Sequence, residues 1–211
     1  MNETYPFKLK PLPYSYNAME PYIDEKTMMI HHKGHLGTYV NNLNKALEKY
    51  SIYHNCTLTD LLYNIELLPY DIRKDVRNNG GGVFNHNLYF EGLKNVGEGN
   101  VPIGKLKSKI EEQFVSFDNF YNLFSKASKE LFGSGFVWLT LNKYNNLELV
   151  ATKNQDTVLE LGLCPIILID LWEHAYYLKK KKKKDEYIQN YRNIIDWNKA
   201  EERYLKCINK N

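Results

Sequence analysis

The chain has 211 residues, enough for one large domain or two small ones. Its 43% hydrophobic and 25% charged residues, rich in Tyr, Phe, Leu and Ile, exclude a disordered chain, and no stretch approaches the ~18 uninterrupted apolar residues of a membrane helix. A net charge of +3 is too small to mark a nucleic-acid binder. The first residues show no basic segment followed by an apolar core, so no signal peptide is expected and a cytoplasmic protein is. Cys56, Cys164 and Cys207 are odd in number, widely spaced and without a CxxC pair, which predicts reduced structural thiols rather than a disulfide frame.

In chain order, residues 24–50 read as one long helix. Asp24 serves as its N-cap, and Leu36, Val40, Leu43 and Leu47 form an apolar stripe at three- and four-residue steps. Residues 58–68 read as a shorter helical connection ended by Pro69. A second long helix is expected over residues 70–93, so the two long helices suggest an antiparallel hairpin. Residues 96–102, with two glycines and a proline, read as a linker. Helices follow at about 104–115 and 119–131. Strands are expected at 136–142 and 147–152, joined by a turn at 143–146, and a doubly buried strand at 163–169. The remainder from Glu186 reads as helical. The fold class is therefore α+β: a helical hairpin domain over residues 1–97, then an α/β domain over 98–211 with a small three-stranded antiparallel sheet.

Three separated places carry chemistry. His31, His35 and Tyr39 stack on one helix face at i, i+4 and i+8, which fits either a chelating pair or buried histidines bonded to carbonyls. Asp170 follows the buried apolar run, so its carboxylate emerges at a strand end, where it is costly without a cation, a metal or several donors. His174 comes four residues later, among Trp172, Tyr176 and Tyr177. An Asp capping the next turn beside core aromatics fits the same pattern. Third, Gly80, Gly81 and Gly82 precede His86, and each glycine costs a helix roughly 1 kcal/mol against alanine. Either something approaches that backbone closely or the segment is a loop.

Four blocks, His-His-Lys-Gly-His-Leu-Gly-Thr-Tyr-Val-Asn-Asn-Leu-Asn (31–44), Asn-Asn-Gly-Gly-Gly-Val-Phe-Asn-His (78–86), Phe-Gly-Ser-Gly-Phe-Val-Trp-Leu (132–139) and Asp-Leu-Trp-Glu-His-Ala-Tyr-Tyr (170–177), resemble the iron/manganese superoxide dismutase family. Their order and spacing match over nearly the whole chain, from Leu12-Pro13-Tyr14 to Trp197. The resemblance implies a mononuclear metal held by His31, His86, Asp170 and His174, with a solvent molecule in the fifth place. It implies that Tyr39 and His35 gate the path of superoxide. Glu173 then reaches across a dimer interface to the partner's copy of the His174 ligand, and Tyr177 pairs with the partner's copy of His35. A homodimer follows, with a tetramer as the other assembly, and Trp138 and Trp172 wall the metal. No nucleic-acid or membrane partner is expected.

The resemblance also bears on the metal. Gly82 in the early block and Gln155 in the later Asn154-Gln155-Asp156 follow the manganese pattern, with iron the alternative, and give the glycines the purpose of leaving room for the Gln155 side chain. The chain departs from the family at Gly34, Leu36, Phe84 and Phe136, positions that touch the channel rather than the four ligands. Two other readings compete. A polyanion-binding protein would use Lys179–Lys184, six lysines otherwise expected in a solvated surface loop. A mononuclear iron oxygenase would use two histidines and one carboxylate, and the third histidine argues against it.

Overall fold

In the computed structural model, which describes residues 3–175 and 184–209, Asp24 caps the first long helix. Its carboxylate accepts the Thr27 N–H at 2.9 Å and the Thr27 hydroxyl at 2.8 Å. This helix, α1, covers residues 25–47: α-helical Glu25–Met29, a wider π-helical section Ile30–Leu36, and α-helical Gly37–Leu47. The predicted stripe of Leu36, Val40, Leu43 and Leu47 is buried. Helix α2 (Leu58–Tyr63) starts at a reciprocal Thr57–Asp60 cap. Pro69 stands before α3, residues 70–91, built from Tyr70–Asp75, a π-helical Val76–Gly80 and Gly81–Glu91. Every residue from Gly81 to Phe90 is buried, so α3 runs through the interior instead of presenting one face to it. Helices α1 and α3 make the expected hairpin.

The predicted linker is tied down. The Lys94 N–H donates to the Ile194 carbonyl at 2.9 Å, and the Val96 and Gly97 N–H groups both donate to the Asn193 carbonyl at 3.1 Å. Asn100, buried, donates through Nδ2 to the Arg192 and Ile195 carbonyls at 2.9 and 2.8 Å. Beyond it come α4 (Gly104–Phe114), α5 (Phe117–Glu130), β1 (Gly135–Leu141), β2 (Leu147–Lys153) and β3 (Cys164–Asp170). The sheet is antiparallel in the order β2-β1-β3, with Trp138 opposite Val150 and Leu168. All seven residues of β1 are buried, because it is central and covered on both faces.

Helix α6 (Lys184–Tyr191) and helix α7 (Trp197–Ile208) close the chain. The last lysine of the run thus opens a helix, and its ammonium donates to the Leu131 carbonyl at 2.9 Å. Tyr177 and the lysines at 179–183 lie outside the described residues.

One expectation is corrected. Cys164 and Cys207 are joined as a disulfide, with Cα atoms 5.8 Å apart, and Cys56 is the free thiol. Their separation of 43 residues conceals that the first residue of β3 and the last turn of α7 are neighbours.

Replacing Asn100 by Ala removes the one donor shared by two inward-facing carbonyls. Asn100→Ala is expected to lower unfolding free energy by about 1–3 kcal/mol, read from the denaturant midpoint at unchanged slope.

Candidate metal centre

Two ligands come from the hairpin and two from the end of the sheet. His31 lies in the π-helical section of α1, a local widening that recurs at functional sites, and is 1% exposed. His86 lies on α3, and its Nδ1–H donates to the Gly82 carbonyl at 2.7 Å. A carbonyl only accepts, so this bond fixes the tautomer and leaves Nε2 bare for a ligand. Asp170 is the last residue of β3, opposite Phe136, and the next N–H, of Leu171, donates to the Gly135 carbonyl. Its Oδ1 accepts the Trp172 N–H at 2.8 Å, so the predicted cap is present as well. His174 follows in the short turn Glu173–Ala175.

The bare atoms converge. His31 Nε2, His86 Nε2 and His174 Nε2 lie 3.1, 3.6 and 3.5 Å from Asp170 Oδ2. The four donor atoms fall within 4.8 Å of one another. Among the described residues, His31 Nε2 and Asp170 Oδ2 are buried without a hydrogen-bond partner, although they are close enough to attract each other. His86 Nε2 faces His174 Nε2 at 3.4 Å, two ring nitrogens aimed at one point. Three imidazole nitrogens and a carboxylate oxygen with no better partner fit a divalent or trivalent metal ion.

Protonation supports the same reading. Burial holds His31 neutral, lowering its pKa from 6.5 to about 4. Burial also pushes His86 well below its ordinary value, with the neighbouring His31 adding to it. Burial pushes Asp170 upward, yet its contacts with His174 and His31 overcome that and hold it below the usual carboxylate range. Neutral imidazoles and an ionised carboxylate are the forms that bind metals.

A second layer surrounds the four. Gln155 is buried, and its Nε2 donates to the Tyr39 hydroxyl at 3.0 Å. Burial raises the Tyr39 pKa, Asp170 adds to the rise, and the Gln155 contact opposes it. The glycines serve this pair in a way the sequence reading did not foresee. A Cβ on Gly82 would fall 2.6 Å from the Tyr39 ring, and one on Gly81 only 2.1 Å from the Gln155 carbonyl oxygen. The space is therefore taken by the Tyr39 ring and the Gln155 backbone more than by the Gln155 side chain.

His35, half-buried, stands outside the four donors and stacks on His174 with centroids 4.0 Å apart. Of the two alternatives for His31 and His35, the chelating pair is not formed: the partners of His31 arrive from α3 and the strand end. Trp172 also stacks on His174, at 5.6 Å, whereas Trp138 packs on Phe136, which packs edge-on against His86. Glu173 is exposed. Asn85 escaped the sequence reading: it is buried, and its Nδ2 donates to the Gln155 carbonyl at 3.1 Å. The signal was available, since an amide inside an otherwise buried helix must find partners. His32, also missed, has a structural place: its Nε2–H donates to the Lys10 carbonyl at 2.8 Å while its ring accepts from Tyr16 at 2.9 Å.

Fold and site define a mononuclear metalloprotein with three histidines and one aspartate, set between a helical hairpin and a three-stranded sheet. Residues 6–94 match the alpha-hairpin domain of the iron/manganese superoxide dismutases, and residues 102–203 match their C-terminal domain. The chain is similar to a manganese superoxide dismutase of Thermus thermophilus, 46% identical over 203 residues, covering 96% of this chain and 99% of that one. It is 46% identical over 202 residues to manganese superoxide dismutase 2 of Bacillus anthracis, covering 96% of each. A manganese/iron superoxide dismutase 2 of Staphylococcus aureus is 44% identical over 198 residues, 94% of this chain and 97% of that one. The chain belongs to the iron/manganese superoxide dismutase family.

The protonation states predict a sign. A histidine whose folded pKa is depressed stabilises the folded chain above the unfolded value and loses that contribution as pH falls. The metal-free chain is expected to lose stability from pH 6.5 down through about 4, on account of His31. Asp170 continues the loss below its ordinary value of 3.8. Denaturant midpoints that stay flat across this window would contradict the assignment.

Proposed function

We propose that the chain dismutes superoxide at this centre, two superoxide anions and two protons becoming O2 and hydrogen peroxide. The convergence of three bare imidazole nitrogens on a buried carboxylate oxygen carries the reading. The bound metal supplies a one-electron couple between the +3 and +2 states, which zinc lacks. Manganese is the preferred ion and iron the alternative. Support comes from the Gly82 and Gln155 arrangement and from relatives named for manganese or for manganese and iron.

The protein groups divide the remaining work. His31, His86, Asp170 and His174 hold the ion. One carboxylate against three neutral imidazoles leaves the loaded centre cationic, which draws in a small anion. Tyr39 keeps its proton, and Gln155 orients the hydroxyl by donating to it, so a proton-bearing hydroxyl stays beside the centre. The Gln155 amide adjusts the potential through hydrogen bonding around the ion. His35, stacked on His174, narrows the approach together with Tyr39.

The unit is read as a homodimer, with a tetramer as its larger form. Glu173 is exposed beside the ligand His174, a placement suited to receiving a partner's histidine. The family resemblance assigns Tyr177, which lies outside the described residues, to the same interface. The domain division at residue 97 gives each unit two ligands. Among the described residues no helix is long and apolar enough to cross a membrane, and a cytoplasmic site of action is the reading adopted. Polyanion binding stands as the lesser reading.

Elemental analysis with superoxide-decay assays tests the activity. His174→Ala is expected to lose both metal and dismutase activity, and an active metal-free variant would refute the proposal. Glu173→Ala is expected to shift sedimentation toward the monomer while the isolated subunit keeps its fold. An unchanged dimer would remove Glu173 from the interface.

A further inference from the structure

The disulfide stands where it can be made and broken without dismantling the fold. Cys164 opens β3, the edge strand whose far end carries Asp170, and Cys207 lies on the last turn of α7. Their Cα spacing of 5.8 Å is ordinary for a disulfide, so neither element must shift for the bond to form. One turn earlier on α7, Arg203 grips the same surfaces, donating to the Ile166 carbonyl on β3 at 3.2 Å and the Leu88 carbonyl on α3 at 2.9 Å. Trp197, Ala200 and Tyr204 of α7 are buried as well. Opening the sulfur bridge therefore frees the end of α7 while its body stays packed.

The bridge is also within reach of small reagents. A cavity of about 400 Å³ is lined by both cysteines together with Phe84, Leu88, Arg203 and Lys206. Lys206, at the outer side, has a side chain 68% exposed, so the cavity meets solvent. Cys164 is half-buried whereas Cys207 is 1% exposed, which separates an approachable sulfur from a shielded one. Arg203 and Lys206 stand on the same wall, paired with Glu91 at 3.5 Å and Glu202 at 2.6 Å, so the approach to the sulfurs is polar.

We propose that Cys164 and Cys207 form a reversible clasp between α7 and β3, closed by hydrogen peroxide and opened by small thiols. The Cys164 thiolate attacks peroxide: an S–O bond forms, the O–O bond breaks, and the departing hydroxide takes a proton to become water. The Cys207 thiol then attacks that sulfur: the S–S bond forms, the S–O bond breaks, and a second water leaves. Two thiols are oxidised by two electrons and one peroxide is reduced to two waters. Two equivalents of a thiol reverse the reaction through a mixed disulfide and leave as their own disulfide. The supply of peroxide rests on the dismutase activity proposed above, while the chemistry of the pair does not. An enzyme that makes peroxide would thus fasten its own C-terminal helix when its substrate is abundant.

The test uses the full-length, metal-loaded protein, reduced, freed of reductant and then given a small excess of hydrogen peroxide. Mass spectrometry after alkylation should find two of the three thiols lost, a crosslinked peptide joining Cys164 to Cys207, and Cys56 still alkylated. The closed form is expected to melt about 5–15 °C above the reduced form, from the chain entropy of closing this loop. A dithiol should restore both thiols and the lower midpoint. Cys164→Ser should melt at the reduced value in either condition, and Cys207→Ala serves as the second variant. Both thiols remaining alkylatable, oxygen added to Cys164 without a crosslink, a bridge to Cys56 or to another chain, or a midpoint indifferent to reduction would each overturn the clasp. Superoxide decay is measured in the same samples. A protein that closes the clasp without dismutase activity fails the functional reading alone, and an active one that never closes it fails this inference alone.

Discussion

A carboxylate with no exposed surface is the constraint around which this molecule is arranged. Asp170 ends a strand buried along most of its length, and among the described residues only its Oδ1 has a conventional donor, the Trp172 N–H. The other oxygen lies 3.1–3.6 Å from the Nε2 atoms of three imidazoles. A buried charge left in that state costs several kcal/mol, and hydrophobic replacements would serve folding better. The fold retains the arrangement because the cluster suits a cation more highly charged than any side chain. Stability of the metal-free chain is surrendered locally and recovered when the ion binds.

The helices are subordinate to that demand. His31 and His86 face one point only because α1 and α3 pack closely, and the close packing depends on glycine. At Gly82 a methyl group would strike the Tyr39 ring, and at Gly81 it would strike the Gln155 backbone. Gly82 therefore sets the distance between α1 and α3, and Gly81 the distance between α3 and the loop after β2. They also bring the Tyr39 hydroxyl and the Gln155 amide together. Backbone permissiveness, which weakens a helix locally, here becomes the means of assembling the site.

What the sequence revealed follows from the range of the interaction. Local features are legible: the Asp24 cap, the Leu36–Leu47 stripe, the strand runs and the costly buried carboxylate at the end of β3. The four donors are assembled through family resemblance, since helical spacing leaves His31 and His35 open between a chelating pair and carbonyl-bonded histidines, and nothing local joins His86 to them. Relations between distant segments were hidden. The Cys164–Cys207 bridge is one of these, since nothing in the 43 residues of chain between them announces their contact. The tethering of the linker by Asn100, and the Asn85 contact with Gln155, depend on carbonyls supplied by other elements. A uniformly buried helix such as α3 also lacks the one-sided pattern that discloses a face.

Two chemistries then share β3: a metal ligand at its last residue and a redox-active sulfur at its first. The metal end is the one on which the activity depends. Anomalous diffraction at the manganese absorption edge, from crystals of the manganese-loaded protein, tests it most directly. The account predicts one strong peak per subunit, enclosed by His31 Nε2, His86 Nε2, His174 Nε2 and Asp170 Oδ2. A fully loaded protein whose peak lies elsewhere, or whose four donors remain packed on one another without it, would contradict the account.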